Sequence, residues 1–114
     1  MRETIYKIVP RKLWRAAEEH GVFEGAPVDL ADGYIHFSTA GQLAETAAKH
    51  FAGQDDLLLV AVDAETLGGD LEYEPSRGGD LFPHLYATLR TGAVLWVKPL
   101  PLGPDGLHSL PEIA

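Results

Sequence analysis

The apolar positions fall into short blocks whose spacing changes along the chain. Thr4 to Val9 is dense in β-branched and aromatic residues and predicts a strand. A period of two sets Ile5, Lys7 and Val9 on one face and Thr4, Tyr6 and Ile8 on the other. Pro10 ends this strand and suits the first turn of a helix. Leu13, Trp14 and Ala17 then recur at helical spacing among charges, which predicts a helix over Arg11 to His20 with Gly21 as its terminator. Val22 to Asp32 shows no period. Gly25, Pro27 and Asp32-Gly33 are turn signals, so the segment reads as an irregular loop, either structural or a lid.

Asp32-Gly33-Tyr34-Ile35-His36-Phe37-Ser38-Thr39 reads as a turn, a short strand and a helix start. Alternation places Tyr34, His36 and Ser38 on one polar face and Ile35 and Phe37 on the other. A second helix follows over Ala40 to Phe51, with Leu43, Ala47, His50 and Phe51 as its stripe. Thr39-x-x-Gln42 matches a capping box. Leu57 to Val62 is continuously apolar and predicts a strand buried on both faces. Ala64 to Gly69 reads as a helical turn, Leu71 to Glu74 as a half-buried strand with both glutamates on one face, and Pro75 to Asp80 as a loop. After Pro83 alternation resumes, with His84, Tyr86 and Thr88 on one side and Leu85, Ala87 and Leu89 on the other. Ala93 to Lys98 predicts the last strand. Residues 100–114 form a Pro/Gly-rich tail, expected to be extended or disordered or to lie along the body.

These elements describe an α+β fold with a mixed or mainly antiparallel sheet and two helices in the N-terminal half. The 114 residues suggest one domain, 1–114, with a single core. There is no G-x-G-x-x-G and no P-loop, so any nucleotide is held by other means. A net charge of −8 argues against nucleic acid, whose backbone needs clustered Lys and Arg. It leaves room for a small anion held by a few local cations and backbone N–H groups. The absence of cysteine removes disulfide and thiolate chemistry. The chain opens without an apolar leader, and Leu57 to Val62 is too short to cross a bilayer, so the expectation is a cytoplasmic protein with no membrane partner.

His20 and His50 fall near helix ends, where histidine complements the dipole, and His108 falls in the tail. His36 and His84 differ, because each lies on a polar strand face beside hydroxyl groups. They are candidates for ligand contact, or for hydrogen bonds that pin a turn to the sheet. Glu74 can serve as acid, base or electrostatic stabiliser, or as a charge that guards a strand edge. Arg77 can grip an anion with two donors or stay solvated. His36, His84 and Glu74 have the residue types of a two-histidine, one-carboxylate metal site, but their spacing carries no ligand signature and no metal is expected. Ser38 lacks the G-x-S-x-G of a hydrolase elbow.

Ile5-Tyr6-Lys7-Ile8, Trp14, Gly21, Gly33-Tyr34-Ile35-His36-Phe37-Ser38, Gln42, Tyr73-Glu74 and Phe82-Pro83-His84-Leu85-Tyr86 together resemble an uncharacterised bacterial family, domain of unknown function 952. The resemblance reaches to about Leu102. More distantly, the order of an aromatic–basic pair, a Trp helix, a glycine, a loop and a His-x-Ser strand resembles the ADP-ribosyltransferase superfamily, above all its RNA 2′-phosphotransferase branch. That resemblance implies a split α+β sheet gripping NAD in a central cleft. Lys7 stands where that branch has its first histidine, and His36 and Ser38 stand on its second motif. Glu74 matches the late glutamate, and Glu72-x-Glu74 is similar to the E-x-E of arginine-specific members.

The implied ligand is NAD or a related nucleotide, contacted by Tyr6, Lys7, His36, Ser38, Arg77, His84 and Tyr86. The implied activity is ADP-ribosyl transfer to an acceptor the sequence does not indicate, with Glu74 and His36 catalytic. Loss of nicotinamide leaves an oxocarbenium-like ribose, and a carboxylate beside it stabilises the developing charge. The alternatives are a non-catalytic small-molecule-binding module, and an interaction protein whose polar strand faces are hydrogen-bonding struts.

Overall fold

The computed structural model describes residues 3–76 and 79–112. Arg77, one of the expected ligand contacts, lies outside the described residues. The organising strand is β1 (Thr4–Pro10), whose inner residues are all buried. It pairs antiparallel along its whole length with β5 (Leu57–Asp63), Thr4 opposite Asp63 and Pro10 opposite Leu57. β5 is buried at every position, as its unbroken Leu/Val/Ala run requires. β9 (Val94–Leu100) flanks β5 as an edge strand, where Pro99 can lack its N–H at no cost. On the other side, β4 (Ser38–Thr39) covers only Ile5 and Tyr6 of β1.

A second antiparallel sheet runs in the order β3 (Ile35–His36), β7 (Leu81–Leu85), β6 (Leu71–Pro75). A two-stranded ribbon joins β2 (Val22–Phe23) to β8 (Leu89–Arg90). The helices are α1 (Arg11–His20), α2 (Pro27–Asp32) and α3 (Leu43–His50), the last entered through a 3-10 turn at Ala40–Gln42. The fold is therefore α+β, with antiparallel sheets throughout.

Alternation along β1 divides the core into two layers. Ile5 and Val9 join Trp14, Phe23, Ile35, Phe37, Leu85 and Leu89 on the face covered by α1 and the smaller sheets. Tyr6 and Ile8 join Leu43, Ala47, Leu59 and Leu100 on the face covered by α3. The tail contributes to this second layer. After β9 the chain turns, Leu102 bridges to His108, His108 Nε2 donates to the Gln54 carbonyl at 2.7 Å, and Leu110 packs on the core.

Several local expectations are corrected. The supposed loop of Val22 to Asp32 holds β2 and α2, so the N-terminal half has three α-helices rather than two. α2 is six residues long, too short to show a period. Its ends are marked instead by Pro27 in the first turn and by Gly33 in the left-handed region at φ 89°. Leu13 is 37% exposed, so the α1 stripe rests on Trp14 and Ala17. β7 begins before Pro83 and runs through it. Its neighbour β3 ends at His36, and Phe37 N–H donates to the Pro83 carbonyl at 2.9 Å. Among the described residues no helix is long and apolar enough to cross a membrane.

Candidate functional site

The site begins where the two sheets part. His36 lies opposite His84 in β7, while Ser38, two residues later, lies opposite Tyr6 in β1. Phe37 is the crossing point, its side chain in the core. The expected single polar face of Tyr34, His36 and Ser38 is thus corrected: a period of two does not survive a change of sheet. Because β4 ends opposite Ile5 and Tyr6, the β1 edge at Lys7 and Ile8 has no strand beside it. A cleft of about 450 Å³ opens there. Its walls come from Tyr6, Lys7 and Ile8 of β1, the His36–Ser38 crossover, Val28 and Asp32 of α2, and Thr46, His50 and Phe51 at α3. Ser76 closes one side.

Asp29 is the hub of this region and is 1% exposed. Its Oδ1 accepts from Lys7 Nζ at 3.2 Å, His36 N–H at 3.1 Å and His36 Nδ1 at 2.6 Å. Its Oδ2 accepts from Ala26 N–H at 2.7 Å and faces Lys7 Nζ at 3.0 Å. Burial alone would raise this carboxyl. The His36 bond, the Lys7 charge and the two backbone N–H groups outweigh it and hold Asp29 at about 2. Burial pulls the Lys7 ammonium down, and Asp29 opposes that pull. Lys7 also donates to the His36 carbonyl at 2.8 Å. The other ring nitrogen of His36, Nε2, faces Asp32 Oδ2 at 2.9 Å. Gly25, at φ 128°, lets the chain pass close to this hub, since a Cβ there would lie 2.9 Å from Asp29 Cβ.

A second group stands behind His36. Glu74 Oε1 accepts from Tyr86 OH at 2.6 Å and meets His84 Nδ1 at 2.8 Å. These two bonds keep Glu74 below the usual carboxylate range, and the Glu74 bond pushes the Tyr86 phenol up to about 12. Tyr34 stacks on His84 with centroids 4.1 Å apart, and it tilts against His36 at 4.6 Å and Tyr86 at 5.2 Å. The His36 and His84 rings meet edge-on at 5.5 Å.

A family model described as a protein of unknown function, DUF952, matches residues 8–97. The chain belongs to the DUF952 family. It is similar to the crystal structure of protein CC0527 from Caulobacter crescentus, at 53% identity and TM-score 0.90, covering 93% of each chain. A double mutant of that protein matches at 51% identity and TM-score 0.90, over 93% of each chain. Its solution NMR structure matches at 54% identity and TM-score 0.83, over 91% of this chain and 90% of that one. No curated protein matches.

In this DUF952 chain, four of the expected ligand contacts line the cleft: Tyr6, Lys7, His36 and Ser38. The Ser38 hydroxyl is 2.9 Å from Thr46 Oγ1. Glu74, His84 and Tyr86 form the group behind, and His36 alone belongs to both. Glu74 is not on the cleft wall, so His36 and Glu74, the two residues expected to be catalytic, do not both line it. Nor do His36, His84 and Glu74 share a focus, since His36 turns its nitrogens to Asp29 and Asp32. Among the described residues no three His, Cys, Asp or Glu side chains gather as a metal site. Sequence reasoning passed over Asp29, named Asp32 only as a turn signal and gave Tyr34 a place on the polar face but no role. Asp29 stands third in a helix that opens with Pro27, a position where a carboxylate reaches back to a free N–H, and that signal was available.

Proposed function

We propose that this protein is a binding module for a nucleotide of the NAD class, seated in the cleft between its two sheets. The observation that carries the reading is the parting of the sheets at Phe37. It leaves a cavity of about 450 Å³ at the open edge of β1, with Tyr6, Lys7, His36 and Ser38 on its walls, within the usual range for small-molecule sites. The lining combines apolar surface from Tyr6, Ile8, Val28 and Phe51 with the polar side chains of Lys7, Asp32, His36 and Ser38, which suits a base and ribose. The likeness to the ADP-ribosyltransferase order of motifs supports the same ligand class. ADP-ribosyl transfer stands second to binding here, because Glu74 is tied to Tyr86 and His84 away from the cleft wall.

The test is calorimetric titration of NAD, ADP-ribose and nicotinamide into the wild type, His36→Ala and Ser38→Ala. Saturable binding of NAD or ADP-ribose, weakened at least tenfold in His36→Ala, is the expected result. Absence of heat from all three with folded wild type overturns the reading. Nicotinamide release during a long incubation would restore the enzyme reading. A second reading has its own observation: Lys7, His36, Ser38 and Glu74 each already have a protein partner. In that reading they are struts between sheets, and a His36→Ala chain that fails to fold and wild type that binds none of the three ligands are its signature.

A further inference from the structure

On the side of Tyr34 away from the cleft, a shallow groove of about 310 Å³ runs between α2 and the end of β7. Tyr34, Tyr86, Glu24, Leu30 and Leu85 line it, and among the described residues no lysine or arginine does. We propose that this groove is a seat for a small organic cation with an alkylated ammonium head, held over the Tyr34–Tyr86 pair. The site is separate from the nucleotide cleft and does not depend on it.

Three observations converge. The two rings lie 5.2 Å apart and tilted 45°, an open corner rather than a closed stack. Tyr86 is 47% exposed, a large aromatic surface left to solvent. Carboxylates surround both rings: burial raises the Tyr34 phenol, with the charges of Asp32 and Glu74 adding to it, and the Glu74 hydrogen bond raises the Tyr86 phenol, with burial and the charges of Glu74 and Glu72 adding to it. A neutral ring with an electron-rich face, flanked by carboxylates, attracts a cation by its quadrupole and by charge together. Leu30, 64% exposed, offers apolar contact for the methyl groups of such a head. The charged side chains that line the groove, among the described residues, are the carboxylates Glu24 and Asp29. The chain uses the same attraction elsewhere, where Lys98 Nζ sits 4.5 Å from the Trp96 ring centroid. Lys7, the nearest buried cation, is matched by Asp29 and does not fill the role.

The experiment follows the assigned ring signals of Tyr34 and Tyr86 by NMR at fixed ionic strength. One titration uses choline, the other its neutral carbon isostere 3,3-dimethylbutanol. The expected result is a saturable shift of both rings with choline and at least a fivefold weaker response to the isostere. Tyr86→Leu keeps bulk and loses the ring, and should weaken choline binding at least fivefold. Tyr86→Phe keeps the ring and should bind choline as the wild type does. No saturable shift with choline overturns the proposal. So does an equal response to the isostere, which would make the contact merely apolar, or a loss in Tyr86→Phe as deep as in Tyr86→Leu. The wild-type comparison decides even if Tyr86→Leu does not fold.

Discussion

Replacing Asp29 with asparagine removes one charge from the most heavily bonded side chain in the protein and leaves its size unchanged. Asp29 and Lys7 are 1% and 7% exposed, so the ammonium left behind cannot recover its water. Its remaining acceptors are neutral ones, the His36 carbonyl at 2.8 Å and the amide oxygen of the new side chain. Breaking a buried pair from one side typically costs about 3–5 kcal/mol. Ionisation gives an independent figure. Asp29 is held at about 2 against an ordinary 3.8, which is worth on the order of 2–3 kcal/mol at neutral pH. The two agree on a loss of roughly 3 kcal/mol, a large part of the ~5–15 kcal/mol that holds a typical domain together. The sign of the pH dependence follows. A depressed carboxyl contributes fully above its unfolded value and loses that contribution as pH falls through its folded one. Wild-type stability should therefore decline between about pH 4 and about pH 2, and Asp29→Asn should flatten that part of the curve.

Urea unfolding followed by the fluorescence of buried Trp14 measures all of this. Lys7→Met should cost less than Asp29→Asn, because the carboxylate keeps its bonds to Ala26 and His36. The double variant should be more stable than Asp29→Asn alone, with a coupling of at least ~1.5 kcal/mol. An Asp29→Asn protein within ~1 kcal/mol of wild type, or strict additivity in the cycle, would refute the reasoning.

Gly25→Ala should destabilise by more than ~1 kcal/mol in the same assay, because it adds a clash at Asp29 Cβ to an unfavourable φ; Gly21→Ala, with the same sign of φ and open space around it, should cost only about 1 kcal/mol. Leu43→Ala, in a fully buried site, should cost ~2–5 kcal/mol, whereas Leu13→Ala on the exposed side of α1 should stay near ~0.5 kcal/mol. Glu74→Gln should bring the Tyr86 phenol from about 12 back toward its usual ~10, read as phenolate absorbance and assigned by its absence in Tyr86→Phe.

The parts of this fold that were legible in advance are those in which one local rule acts over a long enough stretch. α1 was predicted with its observed ends, because Trp14 and Ala17 mark a face and Gly21 supplies the left-handed stop. β1 and β5 were legible from β-branched density and from an unbroken apolar run. The capping residue Gln42 was legible as a motif, and its Oε1 does accept from Thr39 N–H at 3.0 Å. β3 and β4, two residues each, were read as one strand, since nothing local marks a change of pairing partner at Phe37. Their lengths are set by what lies opposite them, His84 on one side and Tyr6 on the other. The same holds for the site. His36 was singled out for its place on a polar face, yet what fixes its ring is Asp29, a residue inside a segment that showed no period at all.

That placement of Asp29 also bears on what the cleft can hold. Among the described residues of the cleft wall, Lys7 is the sole lysine or arginine, and Asp29 already matches its charge. Asp32 adds a carboxylate at the same end, facing His36 Nε2. A pyrophosphate that used Lys7 would have to compete with Asp29 for an ammonium held at 3.0 Å. Tyr6, Ile8, Val28 and Phe51 supply apolar surface on the same walls. Under the proposed nucleotide reading, the base packs on these apolar residues and Lys7 is not a free contact for phosphate. On this argument the hub serves the ligand indirectly. It fixes α2, β1 and the His36 backbone against one another by hydrogen bonds to a single carboxylate, and so holds the cleft open in the absence of a strand along the β1 edge.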